Sequence, residues 1–140
     1  MKTTMVCLAL SRKHSNICLA GYDLNNNTMI RPVIFSTIRC IPPSFCNLDN
    51  GKQLQTLDIV EIDVTGHCPD GCQTENFTVN INAQWKYIGT FDKTNLDGLI
   101  HTTPTLWYNG ISSFNGLNDK ITTNFADTMF TQSMYFIKLH

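Results

Sequence analysis

Short apolar runs separated by polar turns recur along the chain, and this pattern predicts β-strands. Thr3–Leu10 and Ile17–Leu24 are largely apolar or small. The triplet Asn25–Asn27 follows the second run and indicates a tight hairpin, because asparagine tolerates positive φ values. The run "TMIRPVIF" then returns along the second strand. Pro32 cannot donate to a strand ladder, so we expect an edge strand or a bulge near Arg31.

The remainder of the chain continues this pattern, with little sign of helix. Three more strand-like segments are "TLDIVEIDV", the cleanly alternating "NFTVNINAQWKYIG", and "SMYFIKL" near the C-terminal end. Residues 36–55 predict a loop, and "DKTNLDGLI" predicts one short helix capped by Asp92 or Thr94. About seven short strands predict a mainly β fold, either a small barrel or a sandwich.

Length and charge narrow the class of protein. A chain of 140 residues predicts one domain over residues 1–140 with a single core. The net charge of -1 argues against a non-specific nucleic-acid binder, which needs a broad basic face. No apolar run is long enough for a membrane span, and the short N-terminal apolar stretch indicates a first strand rather than a secretion signal. We therefore expect a cytoplasmic protein without a membrane partner.

The connection "SRKH" concentrates charge in a chain with only 10 Lys and Arg residues. Arg12 offers a planar fork for phosphate or carboxylate, Lys13 a point charge and Ser11 a hydroxyl. Arg31 comes close to this connection if Asn25–Asn27 closes a hairpin. The pattern predicts an anion held by Arg12, Lys13 and Arg31, with a simple solvated turn as the alternative.

Two other groups could complete a ligand site. Glu75 and Asn76 open the alternating strand, where they could bond ribose hydroxyls or a base edge, or simply satisfy local backbone groups. Trp107 and Tyr108 lie among turn-forming residues, where they could stack on a base or plug one end of a barrel. Trp85 is a further candidate for stacking.

Six cysteines raise the question of a metal or disulfides. Without a secretion signal, reduced thiols are favoured over a disulfide framework. The spacing is looser than that of two zinc knuckles, so we expect no cofactor, with structural zinc as the alternative. The weak candidates for metal ligands are His67, Cys68, Cys72, Cys40 and Cys46.

Three motifs, in this order along the chain, resemble those of a family of prokaryotic proteins, the dual OB-containing domain. They are "CLALSRKHSNICLAGYDL", "MIRPV" and "QTEN", followed by Leu106-Trp107 and "YFIKL". The resemblance implies a small OB-like β-barrel of about 6 or 7 strands with one or two short helices. It also implies a setting in bacterial defence and phage conflict, and binding of a nucleic acid or a nucleotide-derived molecule. The family domain is longer, which leaves open a missing second barrel or self-association as a homo-oligomer.

These observations favour a non-enzymatic module that binds a phosphate-bearing nucleotide, sensing or sequestering an immune signal. The ligand-binding residues would be Ser11, Arg12, Lys13, Arg31, Glu75, Asn76 and Trp107. One alternative is a single-stranded nucleic-acid binder that uses the aromatic side chains. The other is a nucleotide-processing enzyme with Glu75 or His67 as base, although the common catalytic motifs are absent from the sequence.

Overall fold

Six β-strands dominate the computed structural model, which describes residues 1–35, 39–103 and 110–139. Most strands are short, and the long first strand is paired along much of its length with the second. Their bounds are β1 Lys2–Lys13, β2 Asn16–Asp23, β3 Thr28–Val33, β4 Asp58–His67, β5 Asn76–Val79 and β6 Lys86–Thr90.

The strands pair in the order β1-β2-β3-β5-β4-β6, and β1 also pairs with β4. The first five strands therefore form a partly closed ring, and β6 adds to the first half of β4. All pairs are antiparallel except β3 with β5, which is parallel. The predicted mainly β barrel is confirmed.

Side chains alternate between the inside and the outside of this ring. The interior is filled by apolar residues from every strand of the ring and from the loop between β3 and β4. Trp85 lies in this core, 1% exposed, with its ring 5.5 Å from that of Phe45. The suggestion that Trp85 stacks on a ligand is therefore wrong, because a ligand base cannot reach its buried face.

The hairpin between β2 and β3 is confirmed. The Asp23 carboxylate accepts hydrogen bonds from the backbone N–H groups of Asn25 and Asn26, and Asn27 has a φ of 55°. β3 pairs with β2 up to Ile30 and with β5 from Arg31 onward. Pro32 thus lies beyond the antiparallel pairing, where its missing N–H removes no bond to β2.

Two predicted strands are wrong. The run from Asn76 to Ile88 is divided, because the Asn80 side chain accepts from the backbone N–H of Asn82 and makes a turn between β5 and β6. The segment at 133–139 is not a strand. Its backbone N–H groups donate partly to side chains, as Phe136 N does to His101 Nδ1 at 3.1 Å.

Helical structure within the described residues is short. Pro43–Cys46 and Lys93–Leu99 are 3₁₀-helices, and α1 is Thr123–Met129. Asp92 caps the second 3₁₀-helix by accepting from Thr94 N, as the sequence predicts. No helix in the described part of the chain is long and apolar enough to cross a membrane.

Candidate functional site

The turn between β1 and β2 presents the predicted basic connection at one end of the barrel. Ser11, Arg12 and Lys13 end β1 and are exposed, and His14 has a φ of 55° in the turn. Arg12 is paired with Ile17, which packs against the core, whereas Lys13 and Ser11 belong to the outer face. Neighbouring residues of this connection therefore point in opposite directions.

Arg31 lies on the outer face as well, because its neighbour Ile30 points into the core. Its backbone N–H donates to Glu75 O at 2.7 Å across the parallel pair. Its guanidinium donates from Nη1 to Asn76 Oδ1 at 3.1 Å and from Nη2 to Ser133 Oγ at 3.2 Å. The structure therefore brings together Arg31, Glu75 and Asn76, three of the residues that the sequence suggests for ligand binding, but places Arg31 and Arg12 on different faces.

Glu75 is buried and bonded to the C-terminal segment. Its carboxylate accepts from Ser133 N at 2.6 Å, Ser133 Oγ at 2.9 Å and Met134 N at 2.9 Å. Asn76 is 1% exposed and donates to Gln73 Oε1 at 3.5 Å. We call Arg31, Gln73, Glu75, Asn76 and Ser133 the Glu75 network. Within it, Glu75 alone of the "QTEN" motif bonds residues 133–134 directly, while Asn76 and Ser133 both accept from Arg31.

The charges of Lys13 and Arg31 both act on a third residue, Cys40. Burial and a hydrogen bond shared with Cys18 raise the pKa of the Cys40 thiol, while the charges of Lys13 and Arg31 oppose this rise. Both cations therefore act on the same point of the outer face. Within residues 1–35, 39–103 and 110–139, neither Lys13 nor Arg31 forms an ion pair with a carboxylate.

Arg39 and Ser133 are site residues that the sequence analysis missed. Arg39 is next to Cys40 and forms an ion pair with Asp70, which joins the loop after β3 to the loop between β4 and β5. Arg39 could have been named from the sequence, because it is one of few cations in the chain and is adjacent to Cys40. Ser133 gave no signal, because its role depends on contacts with residues far away in the chain.

A cleft of about 450 Å³ lies beside the Glu75 network. Its lining includes His67 and His101 together with Glu75, Thr74 and Gln132. His67 Nε2 lies 2.6 Å from Thr74 O, a distance at which it can only donate to that carbonyl. His101 Nδ1 accepts from the backbone, so each ring has one nitrogen committed to the protein itself.

The weak metal candidates are dispersed. Cys46 is in the barrel core, Cys40 contacts Cys18, and Cys72 has its backbone N–H bonded to Asp127. In the part of the chain that the structure describes, no three His, Cys, Asp or Glu side chains converge as a metal site would require. Trp107 lies outside the described residues.

The fold and the position of these residues define the class of protein. A five-stranded, partly open barrel with this strand order is an OB-fold, which binds ligands on the face of strands 2 and 3 and with the loops 1–2 and 4–5. Lys13 lies beside the loop between β1 and β2, and Arg31 is on β3. Gln73 and Glu75 are in the loop between β4 and β5. The candidate residues thus occupy the places at which this fold binds its ligands, and the protein is in general terms a binding module.

The family follows from a comparison of sequences. The model of the dual OB-containing domain family matches residues 3–140, and the chain belongs to that family. No curated protein and no solved structure matches the chain. Within the described residues one barrel is present.

Proposed function

We propose that the protein binds a compact, phosphate-bearing molecule of the nucleotide type between Lys13 and Arg31. The observation that carries this proposal is that Lys13 and Arg31 share the outer face, both act on Cys40, and form no ion pair with a carboxylate within the described residues. A bound phosphate would supply the missing negative charge, with Arg31 as a planar donor and Lys13 as a point charge. Ser11 shares the outer face with Lys13 and would donate its hydroxyl.

The remaining charges favour a small ligand over a long polyanion. Several other basic side chains are paired with acids within the described residues: Lys2 with Glu61, Lys52 with Asp58, Arg39 with Asp70 and Lys138 with Asp97. A polynucleotide that gains affinity by neutralising many phosphates needs a continuous row of free cations. Two cations near one point suit one or two phosphate groups.

Glu75 and Asn76 would orient the ligand only indirectly. Both carboxylate oxygens of Glu75 are engaged by Ser133 and Met134, and Asn76 is bonded to Arg31. In this arrangement they position the Arg31 guanidinium, and a direct contact with ribose would require residues 133–134 to leave. Arg12, on the other face, would contribute long-range attraction and not a contact.

The test is isothermal titration of the protein with a panel of nucleoside mono-, di- and triphosphates, cyclic nucleotides and inorganic pyrophosphate. Cyclic nucleotides come first in the panel because the family resemblance suggests a defence setting with nucleotide signals. We expect micromolar or tighter binding of at least one compound and a loss of about tenfold or more in the Lys13→Gln variant. Lys2→Gln removes the same charge from the opposite end of β1 and serves as the matched control.

The proposal is wrong if no compound in the panel binds, or if Lys13→Gln and Lys2→Gln bind equally well. Analysis of each mixture by mass spectrometry after incubation tests the enzymatic alternative, since a nucleotide-processing enzyme would leave a product. The cytoplasmic location and the self-association predicted from the sequence remain part of this proposal.

The OB-fold itself favours a second candidate, a single-stranded nucleic-acid binder, because this fold binds oligonucleotides on the same face. A gel-shift series across salt concentrations separates the two. Nucleic-acid binding would weaken steeply as salt rises, whereas the compact-ligand proposal predicts little affinity for oligonucleotides at any salt concentration.

A further inference from the structure

The side chains of Cys18 and Cys40 are in contact, although they belong to two different segments of the chain. Their sulfur atoms are 3.0 Å apart, closer than two sulfurs that merely pack together. Cys18 is in β2, and Cys40 is in the loop after β3, 22 positions further along the chain. Among the described residues, no other pair of thiols is within hydrogen-bonding distance.

The backbone around this pair has the register of a cross-strand disulfide. Ile17 and Ile41 exchange both of their backbone hydrogen bonds, at 2.8 Å and 2.9 Å, in an antiparallel bridge. The next residues, Cys18 and Cys40, are therefore a pair without hydrogen bonds between them, whose Cα atoms lie about 4.5 Å apart in such a ladder. A disulfide accepts Cα separations of about 4.4 to 6.8 Å, so the bond needs no movement of the backbone.

We propose that Cys18 and Cys40 form a reversible disulfide that fixes residues 39–41 to β2 beside Lys13 and Arg31. This modification is distinct from ligand binding and does not depend on the proposed function. It would make the barrel end that carries the two cations responsive to the thiol–disulfide balance around the protein.

The bond forms by two exchange steps with a small disulfide such as oxidised glutathione. The Cys18 thiol is half-buried; it loses its proton to solvent, and its thiolate attacks one glutathione sulfur and expels the other as a thiolate. Cys40 then loses its proton and attacks the Cys18 sulfur, and the second glutathione leaves as a thiolate. The two protein thiols together lose two electrons, and the two glutathiones take up two electrons and two protons.

The positive charges nearby favour these steps. Lys13 and Arg31 stabilise the Cys40 thiolate and so oppose the effect of burial on its pKa. No cation lowers the pKa of Cys7 in the same way; burial and the charge of Asp58 raise the pKa of its thiol to about 12. Cys7 should therefore stay protonated and unreactive under conditions in which Cys18 and Cys40 are oxidised.

The experiment equilibrates the whole protein with glutathione buffers of increasing oxidised fraction and stops exchange with acid. We expect one species lacking two hydrogen atoms, with residue 18 linked to residue 40 in tandem mass spectra of proteolytic peptides. The oxidised protein should melt roughly 10 °C above the reduced protein, because the cross-link restricts the unfolded chain. Cys18→Ser should abolish both effects, and the matched variant Cys72→Ser should retain both.

A different pair of linked cysteines, or no intramolecular disulfide at any glutathione ratio, would overturn the proposal. So would an unchanged melting temperature on formation of the bond between residues 18 and 40. If Cys40→Ser fails to fold because residue 40 is buried, the half-buried Cys18→Ser variant still decides the question.

Discussion

The end of β1 and the loop before β5 lie at the same face of the barrel, but the polar side chain is exposed in the first and buried in the second. Lys13 is exposed and has no carboxylate partner in the described residues, whereas Glu75 is buried and both of its carboxylate oxygens accept hydrogen bonds. Buried and satisfied polar groups hold a structure together, while exposed and unpaired charges remain available to a ligand. Arg31 belongs to both regions, since it is bonded in the Glu75 network and acts on Cys40 together with Lys13.

Among the substitutions considered, Glu75→Gln should have the largest effect, which is on the stability of the fold. The carboxamide has one accepting oxygen in place of two and carries no charge, so it loses the hydrogen bond from the Ser133 hydroxyl and weakens those from the backbone of residues 133–134. We expect a loss of about 2 to 3 kcal/mol in the free energy of unfolding, measured by urea denaturation. Glu61→Gln, at an exposed ion pair with Lys2, is the matched control and should leave the urea midpoint nearly unchanged. Equal midpoints for the two variants would contradict the structural role of Glu75.

Arg31→Lys should have the next largest effect, and it separates charge from geometry. The lysine keeps the positive charge but cannot bond Asn76 and Ser133 at the same time. We expect faster hydrogen exchange at the backbone amides of Ser133 and Met134, together with about tenfold weaker binding of the proposed nucleotide ligand. Exchange at these amides as slow as in the wild type would show that Arg31 does not hold the C-terminal segment.

Lys13→Gln should change binding without changing stability. Lys13 is exposed and makes no ion pair within the ranges that the structure covers, so its loss should leave the melting temperature within about 1 °C of the wild type. Arg12→Gln removes a neighbouring charge from the other face and should weaken binding less than Lys13→Gln does. If Arg12→Gln has the larger effect in isothermal titration, the ligand occupies the face of Arg12.

The smallest effect should come from Asp63, a partly exposed carboxylate on β4. A hydrogen bond from Asn80 and contact with the N-terminal ammonium group lower its pKa below 3.8. A group with a lowered pKa stabilises the folded state above its unfolded pKa, and this contribution is lost as the pH falls through the folded value. Asp63→Asn should therefore show a slightly smaller loss of stability than the wild type below about pH 4, as measured by thermal unfolding. A larger loss than that of the wild type would reverse the assigned sign.

Local patterns predicted the parts of the fold that depend on local chemistry. The pattern of apolar and polar residues predicted the strands of the ring. The turn at Asn25–Asn27 was predicted because asparagine accepts positive φ. The C-terminal segment was assigned wrongly because an extended apolar run looks the same whether its N–H groups bond a neighbouring strand or distant side chains. Glu75 bonds residues 58 and 59 positions away, a relation that no local pattern contains.

The site was partly predictable for the same reason. Arg31, Glu75 and Asn76 were named from sequence motifs, and the structure brings them together. The direction of the Arg12 side chain was not predictable, because an irregularity in the pairing of β1 with β2 between Cys7 and Ala9 resets which residues point inward. A single extra residue there decides whether Arg12 or Lys13 shares a face with Arg31.

The long separation between Glu75 and its partners has a consequence for synthesis on the ribosome. Every strand of the ring is complete by Val79, whereas Ser133 is made more than 50 residues later. At about 5 to 20 residues per second this delay lasts several seconds, which is long compared with the folding of many small β domains. We expect the nascent barrel to spend this interval with Glu75 and Arg31 uncovered. Limited proteolysis of ribosome-bound chains, stalled before and after Ser133 has emerged, would show whether a protected barrel precedes the attachment of the C-terminal segment.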